Sequence, residues 1–252
     1  AIIVVNIYGM PAKWDEIILI SQKYNIPIIE DSAESLGSIY KGKKCGVFGD
    51  FSFFSFNGNK IITTTSGGAL ICRNYIEKER ALHISSQANS GKVSYVHNEI
   101  GFNYRISNVL AGIGRGQMKV LNKRLYQKRK IHFFYKKIFK NIDEIILHDE
   151  REKNISSNFW LNCIYLKTTS KSFNIENLIK AFDKENIEVR KLWKPLHTQN
   201  LYKKSVFYGE NNCLDLYKRG LCLPSGSNLS KKELIRIKKV LIKFNDLLYS
   251  FK

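Results

Sequence analysis

The first thirty residues leave this chain few folds to choose from. Residues 2–7 are an unbroken apolar run rich in β-branched side chains, the pattern of a strand buried on both faces. Tyr8-Gly9 breaks the run. Residues 12–24 then carry Trp14, Ile17, Ile18 and Ile20 or Ser21 at helical spacing, and Asn25 stops that helix before a second apolar run at residues 26–29. A strand-helix-strand unit of about thirty residues implies a right-handed parallel crossover. Sheets of this kind gather ligands at the carboxyl ends of their strands. The second strand runs out on Glu30-Asp31-Ser32, so Asp31 is a candidate functional residue, although it also reads as a cap for the turn that follows.

Further along, residues 51–56 predict a third strand and Asn57-Gly58-Asn59-Lys60 a turn. Residues 61–65 and 67–71 suggest another strand pair, and residues 75–88 a helix. Ser107 is placed to cap a helix through Val109, Leu110, Ile113, Met118 and Leu121, continued singly or as a pair to about residue 139. The polar stretch 143–157 reads as loop, which sets a large domain at 1–140 and a small one at 141–252. In the latter, strands at 158–167 and 187–193 and helices at 175–185 and 231–249 suggest a small α+β domain.

With 44% hydrophobic and 12% aromatic residues the chain is globular rather than disordered. It has no apolar stretch of the roughly 18 residues that would cross a bilayer and no basic leader before its first apolar run, which favours the cytoplasm without membrane insertion. Cys45, Cys72, Cys163, Cys213 and Cys222 are scattered, without CxxC or metal-type spacing, as a reducing compartment permits. The net charge of +19 could attract nucleic acid, but the lysines are spread along the whole chain among many Ile and Asn, a mixture that biased codon usage also produces. An anionic small substrate fits the charge equally well. His83, His97, His132 and His148 have no partner pattern and read as structural or exposed.

The chemistry-bearing residues are weak singly and informative in order. The runs Glu30-Asp31-Ser32-Ala33-Glu34-Ser35-Leu36-Gly37, Gly49-Asp50-Phe51, Ser55-Phe56-Asn57-Gly58-Asn59-Lys60, Thr65-Ser66-Gly67-Gly68 and Gly101-Phe102-Asn103-Tyr104-Arg105 succeed one another at fixed spacing. This arrangement resembles the DegT/StrS family of nucleotide-sugar aminotransferases, across essentially the whole chain. The match is closest to enzymes that aminate C4 of UDP-4-keto-6-deoxy-N-acetylglucosamine, through Asn57–Thr64 and the runs Leu192-Trp193-Lys194-Pro195-Leu196-His197-Thr198-Gln199 and Leu223-Pro224-Ser225-Gly226.

The resemblance implies an α/β fold of type I, as in aspartate aminotransferase, with a mostly parallel large-domain sheet and a smaller C-terminal domain. It implies pyridoxal 5′-phosphate as cofactor, glutamate and a UDP-4-keto sugar as substrates, and a homodimer with a shared active site. It gives Lys60 the Schiff base and the proton transfer, Asp31 the ring nitrogen and Glu34, one helical turn on, the neighbourhood of O3′. Ser55 is given the phosphate and Asn103 the phosphate of the neighbouring subunit. Tyr104, Arg105 and His197 are candidate substrate contacts, each with a structural alternative.

Members of the family carry a preceding segment that cradles the phosphate and stacks an aromatic on the ring. This sequence opens inside an apolar run without Met and reads as the continuation of a longer protein, with an incomplete large domain. Weak cofactor binding by the chain alone is the expectation. Three other readings follow: a sugar dehydratase of the same family, which would carry His in place of Lys60; a silent family member serving as an assembly partner; and, more remotely, a nucleic-acid regulator, for which no helix-turn-helix pattern exists.

Overall fold

The computed structural model describes residues 1–246, so the end of the helix expected at 231–249 lies outside the described residues. Two compact units form, residues 1–125 with 150–160, and residues 126–149 with 161 onward.

In the first unit, strands Ile2–Val5 and Ile28–Asp31 lie parallel, joined by helix Trp14–Tyr24, as the opening pattern requires. The helix ends where Asn25 takes a left-handed φ of 51° and returns its N–H to Ser21 and Gln22, a conformation Asn tolerates. Phe51–Ser55 adds a third parallel strand beside Ile28–Asp31, and Gly68–Cys72 pairs antiparallel to it. Trp14 is fully buried among Val4, Ile28 and Tyr40, with the Phe48 ring stacked on it at 4.9 Å.

The strand pair expected at 61–71 is half realised. Gly68–Cys72 is a strand, but residues 61–65 are not. Ile61 and Ile62 turn inward and are buried, and the Thr64 N–H bonds the Phe56 carbonyl, so this apolar run packs as an ordered loop. A short sheet of Ile39–Tyr40, Lys43–Lys44 and Ile155–Ser156 was not legible, because two-residue strands carry no periodicity. Asn74 and Ser107 cap helices Tyr75–Ser85 and Asn108–Lys119, accepting from Glu77 N–H at 2.9 Å and Leu110 N–H at 3.3 Å. A second helix, Leu121–Phe139, follows directly.

The second unit holds an antiparallel sheet ordered Arg190–Lys191, Gly220–Leu223, Asn162–Leu166, Ile145–Leu147. Helices Ile175–Asp183 and Lys231–Asp246 share its core through Leu178, Phe182, Leu241 and Phe244. The stretch 143–157, expected as loop, thus carries two short strands, and the strand expected at 187–193 shrinks to two residues. Under this sheet lies a buried polar chain. Lys128 donates to the Ser225 carbonyl at 2.5 Å, the Ser225 hydroxyl accepts from Asn162, and His132 sits between Asn162 Oδ1 and Asp149 Oδ1, each at 2.9 Å. His132 is therefore a structural histidine. No helix among the described residues is long and apolar enough to cross a membrane.

Candidate active site

Register sets Val5, Asp31 and Phe53 abreast, where the first two parallel strands end and the third runs on to Ser55. The second strand runs two residues further than expected, so Asp31 is its last residue rather than the second beyond it. Side chains alternate along a strand, so Glu30 and Asp31 face opposite sides. Glu30 is fully buried, and its carboxylate accepts five hydrogen bonds. Oε1 takes Asn6 Nδ2 at 2.9 Å, Ser32 Oγ at 2.7 Å and Gly46 N at 2.6 Å, while Oε2 takes Phe48 N at 2.8 Å and Ser52 Oγ at 3.1 Å. Among the described residues no ion pair forms at Glu30, so neutral donors alone hold its charge. Asn6 extends the net, its Oδ1 accepting from Ala12 N–H and the Trp14 indole N–H. The strand end that carries Asp31 is fixed in this way, and Asp31 Oδ1 accepts the Ala33 N–H at 3.0 Å.

Beyond Asp31 the chain makes successive tight turns, with Ser35 N–H bonding Ser32 and Ser38 N–H bonding Ser35, instead of the helical turn expected between Asp31 and Glu34. Glu34 reaches the same neighbourhood by that route. Its Oε2 accepts the Tyr8 N–H at 2.5 Å, and its Oε1 lies 3.9 Å from Lys60 Nζ.

Lys60 closes the expected turn, its N–H bonding the Asn57 carbonyl at 3.0 Å while the Asn57 side chain accepts from Gly58. The neighbouring strand must approach closely. Gly67 has φ of 95°, and a Cβ on Gly68 would stand 2.4 Å from the Phe54 carbonyl oxygen, so both positions require glycine. The Lys60 side chain is 13% exposed and points into a narrow cleft lined by Ala33, Glu34, Leu36, Ser55, Ile62 and Trp160. Burial pushes its amine below the ordinary lysine value, against the opposing pull of the Glu34 and Asp31 carboxylates. Ser55 accepts the Asn57 N–H through Oγ, which leaves its own proton to donate.

Asp31, Glu34, Ser55 and Lys60 are thus gathered at one sheet end. Asn103, Tyr104 and Arg105 do not line this cleft of their own chain. Asn103 bridges to Ser86, the Tyr104 ring stacks on Phe102 at 5.0 Å, and Arg105 donates to Ser86 Oγ. His197 belongs to the second unit, where it stacks on Phe207 at 3.8 Å. Trp160 was missed: the Lys60 amine lies 4.2 Å from the centre of its ring. Its only signal in the sequence is a Trp at the head of a strand, which reads as core.

The parallel strand core, the cleft at its carboxyl strand ends and the half-buried lysine there fit an α/β transferase fold of type I. The chain belongs to the DegT/DnrJ/EryC1/StrS aminotransferase family, whose profile matches residues 1–241. It is 46% identical over 246 residues to "Putative pyridoxal phosphate-dependent aminotransferase EpsN" of Bacillus subtilis, covering 96% of this chain and 62% of that relative. Identity is 35% to the GDP-perosamine synthase of Escherichia coli O157:H7, over 94% of this chain and 63% of the relative. It is 32% to the UDP-4-amino-4,6-dideoxy-N-acetyl-beta-L-altrosamine transaminase of Campylobacter jejuni, over 96% and 64%. The chain therefore spans somewhat less than two thirds of these relatives. Among solved structures, Helicobacter pylori PseC, an aminotransferase of pseudoaminic acid biosynthesis, superposes with a TM-score of 0.89 at 24% identity, over 98% of this chain and 67% of that one. Pyridoxal phosphate is the cofactor of the family.

Proposed function

We propose that this chain works as a pyridoxal-phosphate-dependent nucleotide-sugar aminotransferase, moving the amino group of glutamate to C4 of a UDP-linked 4-keto-6-deoxy-hexose for surface-glycan or glycoprotein sugar synthesis. The observation that carries the reading is the half-buried amine of Lys60 in a cleft lined by Glu34 and Ser55, beside the strand end that bears Asp31. Support for a nucleotide sugar comes from relatives named for both UDP- and GDP-linked substrates. The choice of UDP and of C4 rests on the sequence motifs and on the Campylobacter relative.

The site's own residues suit the cofactor. Once bound, pyridoxal phosphate supplies an electron-withdrawing ring that accepts the electron pair left when a donor's Cα proton departs. Lys60 provides an amine whose free-base fraction is raised by burial, suited to attack a carbonyl and to carry that proton. Asp31 offers the negative charge that favours a protonated ring nitrogen. Ser55, whose Oγ already accepts from Asn57, has an O–H to give a phosphate oxygen. Glu34 holds negative charge beside the amine and orients it. Asn103, exposed on its own chain, is assigned to the phosphate of a second copy in a homodimer. Tyr104, Arg105 and His197 are offered as sugar-nucleotide contacts. We place the protein in the cytoplasm, where cysteine thiols remain reduced.

The deciding experiment is the absorption spectrum of the protein with added cofactor, repeated on Lys60→Ala. A visible band that glutamate bleaches, and that the variant lacks, is the expected result. A folded protein that shows no band at saturating cofactor would overturn the reading. UDP- and GDP-linked 4-keto sugars then test the acceptor.

A further inference from the structure

Trp160 lies a hundred residues beyond Lys60 and is only 2% exposed. Its ring faces the Lys60 amine, with Nζ 4.2 Å from the centroid, and its indole N–H donates to the Asn59 carbonyl at 2.8 Å. One side chain therefore touches both the amine and the turn that carries it. The segment leading to Trp160 is strained. Phe159 has φ of 46°, a left-handed conformation that bulky residues rarely adopt. Such strain persists only where surrounding bonds over-determine it, and here they do. Asn158 Oδ1 accepts the Trp160 N–H at 2.8 Å, and Asn158 Nδ2 donates to the carbonyls of Glu34 and Leu36 at 2.8 and 3.0 Å. The Asn158 N–H is taken by Ser38 Oγ at 2.9 Å. Gly9 makes room for this clip, since a Cβ there would lie 1.9 Å from Asn158 Oδ1. The Glu34 backbone, the Lys60 turn and the Lys60 amine are thus all held by Asn158 and Trp160.

We propose that Trp160 is a positioning residue for Lys60, its ring face excluding water from the amine while its N–H pins the Asn59–Lys60 turn. The proposal rests on reading Lys60 as the reactive amine. An indole face attracts an ammonium ion, but water solvates one better. Removing the ring therefore hydrates the amine and leaves Glu34 beside it, and both changes favour the protonated form. Trp160 thus keeps more of Lys60 as free base than an open site would allow.

The test uses the cofactor-free protein. Acetic anhydride labelling of Lys60, read by peptide mass spectrometry across pH, gives the midpoint at which the amine becomes reactive. In Trp160→Ala that midpoint should rise by about half a pH unit or more, roughly a threefold smaller free-amine fraction below it. Trp160→Phe keeps part of the apolar wall but loses the bond to Asn59, and should rise by less; Trp193→Phe, in the other unit, should not move. Circular dichroism establishes that each variant is folded. If Trp160→Ala does not fold, Trp160→Phe decides alone. An unmoved Lys60 midpoint in the folded Trp160 variants overturns the proposal. The two ideas fail separately: a shifted midpoint in a protein that shows no cofactor band sinks the aminotransferase reading only, and a normal band with an unmoved midpoint sinks only the role of Trp160.

Discussion

Replacing Glu30 by glutamine tests whether the floor beneath Asp31 is held as described. The substitution keeps the shape and converts one carboxylate oxygen to an NH₂ group. If that group takes the place of Oε1, it meets Gly46 N–H and the Asn6 amide NH₂, both donors, together with Ser32 Oγ. In the place of Oε2 it meets Phe48 N–H and Ser52 Oγ, and the serine can rotate to accept. The second arrangement is the less damaging. It leaves one rigid backbone donor, Phe48 N–H, buried against another donor, at about 1–3 kcal/mol. Hydrogen bonds to a neutral oxygen are also weaker than those to a charged one, offset by the easier burial of an amide. A loss of about 2–3 kcal/mol is expected for Glu30→Gln. Glu30→Ala should lose roughly 4 kcal/mol or more, since two fixed N–H groups lose their acceptor and a cavity opens. Amide hydrogen exchange at Gly46 and Phe48, with denaturant titration, reads the effect locally as well as globally. A Glu30→Gln protein within about 0.5 kcal/mol of wild type, with both amides equally protected, would show that the carboxylate is not the acceptor inferred here.

Three further outcomes are expected. Burial lowers Lys128 from an ordinary 10.5 to about 8, so between those values the unfolded chain binds the extra proton. Stability from this group is therefore gained as pH rises from about 8 to 10.5, by roughly 3 kcal/mol, and Lys128→Met should flatten that slope in thermal melts taken across the range. Asn74→Ala removes the cap on helix Tyr75–Ser85 and should cost about 1 kcal/mol, visible as faster exchange of the Glu77 amide. Gly68→Ala drives a methyl into the Phe54 carbonyl and should lower both stability, by about 1–3 kcal/mol, and affinity for the cofactor measured by absorbance.

The opening strand-helix-strand unit was legible because its period changes from continuous to helical and back within a few residues. Lys60 and Ser55 were legible as a pair because one turn separates them, and Asp31 because it stands at the end of the neighbouring strand. What escaped the sequence is held by contacts across long separations. Trp160 meets Lys60 only after the chain has left the first unit and returned. Glu30 had no assigned role in the sequence, since its partners Gly46, Phe48 and Ser52 lie 16 to 22 residues on. Strand Gly220–Leu223, central in its sheet, is four residues long and follows a polar helix, too short for a period to emerge. The apolar run at 61–65 misled because burial of Ile61 and Ile62 is satisfied as well by a packed loop as by a strand.

Gly9 is bound to Asn158 in any history the chain can have. Any side chain at position 9 must pass through the place of the Asn158 amide, and it must also adopt the φ of 90° that glycine accepts freely. A variant at 9 therefore survives only beside a smaller partner at 158. That partner would give up the grip on the Glu34 and Leu36 carbonyls. Change at 9 is closed off while Asn158 stays, and a protein that has lost the glycine should hold the turn after Asp31 by other bonds.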